Sequence, residues 1–508
     1  VVSLFLGTSA YLMAGILSMT YTRYRFWFGL IGWSGAVAGL TRGALLYNSN
    51  GVLIRTLGEW GLLGIEIKID QTTILFAALV VLLNIFTLLY LGEKKPRTYY
   101  VLYNFLFATS FSLAFSNDLF NIYVSIELLS LIAILLIGYE RKAYQIYAGI
   151  KYLVISSLAM SLYLIGLGFV YRVGGHLGID QLLSVLKEGQ SFTLYLGLGL
   201  MITGLAVKAG IFLFSMWLPD AYLYSGVVVS TLLAGMATKA GLIGLIRMSA
   251  LPYLEELFLG LGVLTGIAGA FLAIIAPIPK RILAFSSISQ VGYILIGVGL
   301  GTPAGILAAS LHIFFHGLFK GLLFLSIGHA GIGGKNIYED EISSIPLISK
   351  FGLIVGSLSI MAIPPFNGYF SKSLLLDASG HSWAWWAILI IGFGTVIYFL
   401  ELNRVLLFHT DTDGCRKGDL PLFVFTGAVV LSAIAGWIAL GGQEMLGLMI
   451  PHHLAATFAL IPASGIVVLA FRKKMPDFKT PVSLFNMDNA MISLFTGFLF
   501  VVSALVLV

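Results

Sequence analysis

Apolar residues fall in runs of about 20 separated by short polar or charged breaks, the length a helix needs to cross roughly 30 Å of hydrocarbon. The runs cover residues 1–20, 26–47, 71–92, 99–115, 119–138, 146–171, 193–214 and 226–248. They continue over 257–277, 282–300, 305–328, 352–376, 383–408, 420–440, 454–471 and 490–508. The pattern predicts an all-α polytopic membrane protein of about 14–16 transmembrane helices, the count being softest near the C-terminus. The first run is followed by too many others to read as a cleaved signal peptide. Val1 stands where an initiator methionine is expected, which leaves room for a few preceding residues.

Composition narrows the class. Of 508 residues, 59% are hydrophobic and only 10% charged, so a soluble fold of this length is excluded. The basic loops Arg23/Arg25, Lys94-Lys95-Pro96-Arg97, Arg141-Lys142, Lys280-Arg281, Arg416-Lys417 and Arg472-Lys473-Lys474 all fall on one side if every span is real. The other side holds singles such as Arg55, Lys68, Arg172 and Lys187. The positive-inside rule makes the basic side cytoplasmic and puts the N-terminus outside; a prokaryotic plasma membrane is the expected location. The net charge of +6 is therefore a topology signal rather than a nucleic-acid footprint. Cys415 is the single cysteine, so no disulfide framework, iron–sulfur cluster or thiolate zinc site is expected in this chain. With no phosphate-binding GxxxxGK[ST] loop, the energy must come from an ion gradient or a partner subunit.

The informative residues are the ionisable ones inside spans, each of which costs about 2.5–3.5 kcal/mol on insertion scales. Glu127 is mid-span in "NDLFNIYVSIELLSLIAILL", Lys208 is in the seventh span and Lys239 in the eighth. His312, His316 and Lys320 follow one another at four-residue steps in "SLHIFFHGLFKGLLF", on one helix face. Lys372 follows "MAIPPFNGYF". The ordinary readings differ from residue to residue. Lys151 and Arg404 lie where a side chain snorkels to the interface, whereas Lys208, Lys239 and Lys320 lie about two turns or more from a span end. Glu127 can also serve as the structural partner of a polar neighbour. A metal at His312 and His316 is disfavoured by Lys320 one turn on. His312 alone reads as a hydrogen-bonded packing residue, and Asp220 as a cap or loop anchor.

Two of the lysine-bearing spans carry prolines: Pro219 after Lys208, and Pro364-Pro365 before Lys372. Proline removes a helix donor and clashes with the preceding turn, so these helices are expected to be discontinuous. Unwound backbone at membrane depth is tolerated where it lines a cavity or meets protein. The breaks lie five spans apart, and an odd offset reverses the second unit relative to the first, predicting an inverted repeat with its site at the midplane.

The stretches "VKAGIFLFSMWLPDAYLYSGVVVSTLLAGMATKAGLIGLIR", "PKRILAFSSISQVGYILIG", "LHIFFHGLFKGLLF" and "IPPFNGYFSKSLLL" resemble the antiporter-like subunits of respiratory complex I. They equally resemble the D- and A-type subunits of Mrp cation/proton antiporters and the related subunits of membrane-bound hydrogenases. The resemblance runs from about Asp70 to Arg404. It implies helices 1–3 in residues 1–98, inverted five-helix repeats in 99–250 and 251–410, and further helices in 411–508. It also implies that Glu127 is the fifth-helix glutamate paired with the seventh-helix Lys208, and Lys239 the eighth-helix lysine of a central axis. His312, His316 and Lys320 match the histidine–lysine face, and Lys372 the terminal lysine. Departures lie around the first break: Leu213-Phe214-Ser215 replaces Pro-Phe-His, Tyr222 a histidine, Gly226 and Val228 prolines, and Ile278 an acidic residue.

An ammonium in apolar surroundings holds its proton less tightly, and a carboxylate within about 4–6 Å restores it. Each pKa unit is about 1.36 kcal/mol, comparable to the roughly 2.3 kcal/mol that moves one charge against 100 mV. The expected function is proton or cation/proton translocation along these groups, gated by Glu127. The expected partners are H⁺, with Na⁺ as the alternative cation, lipid, and other membrane subunits of a multi-subunit complex. Any iron–sulfur or nickel–iron centres would be carried by those subunits. A free-standing transporter of a small solute and a transport-inactive structural subunit are the alternatives.

Overall fold

The computed structural model describes residues 5–58, 64–186, 191–251, 254–337, 345–380, 382–407, 419–439, 460, 462–466 and 486–506. Cys415, Lys187, Arg416-Lys417, Arg472-Lys473-Lys474 and most of the span expected at 454–471 lie outside the described residues, as does the side chain of Arg404.

The chain divides into two compact units. The first comprises 1–217, 236–257 and 487–508, and the second 218–235 and 258–486. In the first unit, α1 (Leu6–Thr20), α2 (Arg25–Asn50), α3 (Gln71–Leu91), α4 (Arg97–Phe115), α5 (Leu119–Ile137) and α6 (Ala143–Gly174) follow in order. A short α7 (Ile179–Val185) leads to α8 (Phe192–Ala209). The second unit contains α9 (Leu218–Tyr224) and α10 (Val227–Leu232), and the first unit takes back α11 (Thr238–Met248). Helices α12 (Glu255–Ile275), α13 (Pro279–Gly299), α14 (Pro303–Ala330), α15 (Leu347–Ile360), α16 (Asn367–Ser379), α17 (Trp383–Leu407) and α18 (Asp419–Ala439) build the rest of the second unit. The last helix, α19 (Met487–Val506), packs on α8 in the first.

Among the described residues, 10 helices are long and apolar enough to cross a membrane, with three shorter apolar ones at Leu6–Thr20, Leu347–Ile360 and Asp419–Ile434. The chain is a multi-pass membrane protein. A helix packed inside protein can fall below the hydropathy of a lipid-facing span and still be one of the helices the apolar pattern marks. On α4 the residues Tyr99, Tyr100, Tyr103 and Asn104 are all buried, so this helix is wrapped in protein and less apolar than a lipid-facing span. On α5, by contrast, Leu128, Leu131 and Leu135 form an exposed apolar stripe, while Ser125 and Ser130 are buried. Apolar side chains outside and polar ones inside is the arrangement that hydrocarbon solvent favours.

One feature departs from an all-α reading. Strands β1 (Leu53–Leu57) and β2 (Ile65–Ile69) pair antiparallel, with Leu53 opposite Ile69 and Leu57 opposite Ile65. Their signal was present in the strict alternation of Ile65-Glu66-Ile67-Lys68-Ile69. At the other end of the first unit the basic loops meet. Lys95 and Lys142 reach Glu140 at 2.9 and 3.3 Å, and Arg25 donates to the Glu93 carbonyl at 2.6 Å.

Candidate functional site

In the first unit the site is built where α8 stops. Gly210 takes φ 73°, a left-handed conformation suited to glycine, and ends the helix. The chain then makes one tight turn at Phe212–Phe214 before α9 begins. The interruption thus starts at Gly210, ahead of Pro219. That proline lies in the first turn of α9, where a missing N–H is harmless. Lys208 is accordingly not two turns inside its helix but its penultimate residue, in the last turn, where unpaired carbonyls favour a cation.

Lys208 is nevertheless buried, with 2% of its side chain exposed. Its Nζ donates to Ser130 Oγ at 2.7 Å, to Glu127 Oε2 at 3.4 Å and to Ser156 Oγ. Glu127 and Ser130 are three residues apart on α5 and so share a face, and Ser156 comes from α6. The three donors of the ammonium meet three oxygens. Glu127 retains 23% side-chain exposure, so the pair has one buried and one accessible member. The Tyr152 ring lies 5.9 Å from Nζ and stacks on Trp217 at 3.9 Å and 9°. Trp217 Nε1 in turn donates to the Val207 carbonyl at 2.9 Å, fastening the interruption back onto the last turn of α8.

Lys239 is fully buried and is the second residue of α11, directly after a π-helical turn at Leu233–Ala237. Its Nζ lies 3.5 Å from Thr238 Oγ1. Gly241, one turn edge further on, lets α11 touch α8. A Cβ there would come within 2.9 Å of both the Leu205 oxygen and the Lys208 carbonyl carbon. Gly241→Ala is therefore expected to destabilise the protein by about 1–3 kcal/mol, read as a lowered melting temperature of the purified protein.

In the second unit, His312, His316 and Lys320 are buried on α14. The two imidazole rings are parallel to within 4°, with centres 5.8 Å apart, so they share a face. His312 bridges two other helices: Nδ1 lies 2.9 Å from Ser371 Oγ on α16, and Nε2 3.2 Å from Gln290 Oε1 on α13. The Gln290 amide nitrogen donates to Thr395 Oγ1 at 3.3 Å, which turns Oε1 toward the ring and requires a proton on Nε2. Lys320 Nζ donates to the Leu283 carbonyl at 2.8 Å and to Ser286 Oγ.

The second interruption runs from Met361 to Phe366, between α15 and α16, and contains Pro364 and Pro365. Lys372, on α16, reaches back across it. Its Nζ donates to the Ile360 carbonyl, the last residue of α15, at 2.8 Å, and sits 4.4 Å from the Tyr293 ring centre. Each unit therefore has a broken helical segment with a buried lysine beside the break.

Several structural charges escaped the sequence reading. Lys280 and Arg281 are buried, 7% and 5% exposed, and are not solvated loop charges. Lys280 Nζ donates to the carbonyls of Leu223 (3.4 Å) and Ser225 (2.9 Å), and Arg281 reaches Asp220 at 3.6 Å. The pair thus grips α9 at both ends, and Asp220 is the loop anchor expected of it. Lys151 is fully buried, so it does not snorkel. Arg247, near the end of α11, forks onto Asp70, donates to Thr73 Oγ1 at 2.7 Å and reaches the Ala114 carbonyl at 3.4 Å. At the β-hairpin end, Asn117 bridges the Glu66 and Asp180 carboxylates, and Lys68 reaches Asp180 at 3.3 Å. Among the described residues, no group of three or more His, Cys, Asp or Glu could hold a metal ion.

Buried, hydrogen-bonded amines and imidazoles beside interrupted helices in a multi-pass protein define a class of membrane protein built to carry charge-bearing groups in its interior. Comparison with known proteins gives the family. A family profile described as NADH:quinone oxidoreductase/Mrp antiporter, transmembrane, matches residues 116–398, and the chain belongs to that family. The NADH-quinone oxidoreductase subunit N of Desulforudis audaxviator is 31% identical over 364 residues, 67% of this chain and 72% of that one. The D-type subunit of the Bacillus subtilis Na(+)/H(+) antiporter is 28% identical over 381 residues, 71% of this chain and 77% of the relative. Two solved structures share the fold. A chain of the membrane-bound sulfane sulfur reductase, an archaeal respiratory membrane complex, superposes with a TM-score of 0.77 at 22% identity, covering 90% of this chain and 97% of that one. A chain of the Mrp complex from Dietzia sp. DQ12-45-1b gives 0.73 at 20% identity, covering 91% and 98%.

Proposed function

We propose that this chain is the proton- or cation/proton-translocating subunit of a multi-subunit complex in a prokaryotic plasma membrane. The complex is of the complex I, Mrp antiporter or membrane-bound hydrogenase type. The observation that carries the reading is the Glu127–Lys208 pair: a buried ammonium held by two hydroxyls, with one carboxylate at 3.4 Å. The hydroxyls keep the amine in place in either state of the pair, so movement of Glu127 changes its proton affinity without dismantling the site. The relay uses Lys208 and Lys239 in the first unit and His312, His316, Lys320 and Lys372 in the second, with water as the bridge. The interruptions admit that water, since unwound backbone at this depth lines a cavity or meets protein. In this reading residues 99–250 and 251–410 are inverted repeats.

The names and assemblies of the relatives support membership of a larger complex. Purification in mild detergent, followed by mass spectrometry, is expected to recover several small membrane subunits with this chain. Iron–sulfur or nickel-bearing subunits among them would mark a respiratory complex, and only Mrp-like chains an antiporter. Recovery of the chain alone, fully active in solute uptake, would overturn the proposal in favour of a free-standing transporter.

A further inference from the structure

Helix α2 is 26 residues long, yet it is not among the 10 helices apolar enough to cross a membrane. Helix α4 falls short as well, and there the reason is visible, since its polar residues are buried within this chain. The outward face of α2 has no such cover among the described residues. Its glycines face inward, Gly32 and Gly35 against Tyr11 and Ala10 of α1, and Gly29 against Leu88 of α3. The outward face carries Ile31, Ser34, Ala38, Thr41, Arg42 and Leu45, all exposed, at spacings of three and four residues that keep them on one side of the helix. Ser34 Oγ donates to the Ile31 carbonyl at 2.9 Å and Thr41 Oγ1 to the Ala38 carbonyl at 3.0 Å, so both hydroxyls are satisfied within the helix. Arg42 has no hydrogen-bond or ion-pair partner among the described residues. Other outward faces of this chain are large and aliphatic, as with Leu128, Leu131 and Leu135 on α5.

We infer that this face of α2 docks one transmembrane helix of a neighbouring subunit, with a carboxylate of that helix on the Arg42 guanidinium and its backbone close to Ser34 and Ala38. Three properties select that occupant. An arginine within the apolar run 26–47 needs a counter-charge at its own depth, and a carboxylate matches the guanidinium fork two bonds at a time. Small residues one turn apart let a second helix approach closely, a feature that serves helix–helix contact rather than contact with acyl chains. A helix covered by protein needs less hydropathy than a lipid-facing one, so docking accounts for the shortfall of α2 as burial accounts for that of α4. Such docking rests on the multi-subunit assembly of the proposed function and is independent of the relay.

The test uses the assembled complex in its own membrane. Photolysis of a chain with the photoreactive p-benzoylphenylalanine in place of Ala38 is expected to join it to one other subunit, through a peptide of about 20 apolar residues that contains an Asp or Glu. Arg42→Glu should lower recovery of that subunit with the chain at least about tenfold, and lysine in place of the partner's carboxylate should restore it. Ala38→Trp keeps the charge but blocks close approach, and should lower recovery by a comparable factor; it carries the test if Arg42→Glu fails to insert. Adducts to lipid alone in an intact complex, or undiminished recovery in Ala38→Trp, overturn the docking face and leave membership of the complex standing. Adducts to a second copy of this chain, or to a peptide without a carboxylate, overturn the choice of occupant. A wild-type chain that purifies with no other subunit overturns the assembly itself, and the docking with it.

Discussion

Glu127→Ala is expected to slow ion translocation by about 10–100-fold while the protein still folds and assembles. The loss corresponds to the roughly 1.5–3 kcal/mol of a hydrogen bond to a charged group. Folding survives for two reasons. Glu127 is 23% exposed, so its removal opens no sealed hole, and Lys208 retains Ser130 and Ser156. Glu127→Gln separates charge from hydrogen bonding. If the carboxylate charge sets the proton affinity of the amine, glutamine should be nearly as damaging as alanine. Wild-type flux in the glutamine variant would show that the charge is not what matters. The measurement is ion flux in vesicles, normalised to the amount of assembled protein.

Arg247→Ala should have the largest effect on stability, up to about 3–5 kcal/mol, because it strands a partly buried carboxylate. Asp70 caps α3 through Thr73 N at 2.8 Å and is 18% exposed, while Arg247 is 3% exposed. Replacing both partners with apolar residues should recover much of the loss, since no unpaired charge then remains. The pair also fixes a pH dependence. Burial alone would raise the Asp70 carboxyl, but the Arg247 guanidinium and the Thr73 bonds outweigh it and hold the group down to about 2 from 3.8. A depressed carboxyl stabilises the fold above its unfolded value and loses that contribution as pH falls through its folded value. The wild-type melting temperature should therefore include a component that declines from about pH 4 toward pH 2 and is missing in Asp70→Asn.

The membrane class and the one-face placement of His312, His316 and Lys320 were legible in the residues themselves, whereas the pairing of Glu127 with Lys208, 81 residues apart, was implied only by the family resemblance. A charge or a four-residue step in an apolar run has few readings. The positions of the breaks were less legible. Proline marks where a helix cannot continue, yet a helix can end earlier at a glycine, as α8 does at Gly210, and the proline then opens the next segment. Lys280-Arg281 misled for a related reason. A basic dipeptide between apolar runs looks like loop charge until the chain on either side folds over it, and here both side chains grip α9. The Asp70–Arg247 fork joins residues 177 apart in sequence, a separation no local pattern reveals. The β-hairpin was visible in its alternation, but the apolar periodicity around it drew attention to helices.

The most direct test of the account is proton movement into vesicles that carry equal amounts of the complex with Lys208 or with Lys208→Ala. A buried, switchable amine as the carrier predicts that flux in the alanine variant falls to the background of vesicles lacking the complex. Flux at the wild-type rate with the same assembled protein would contradict it.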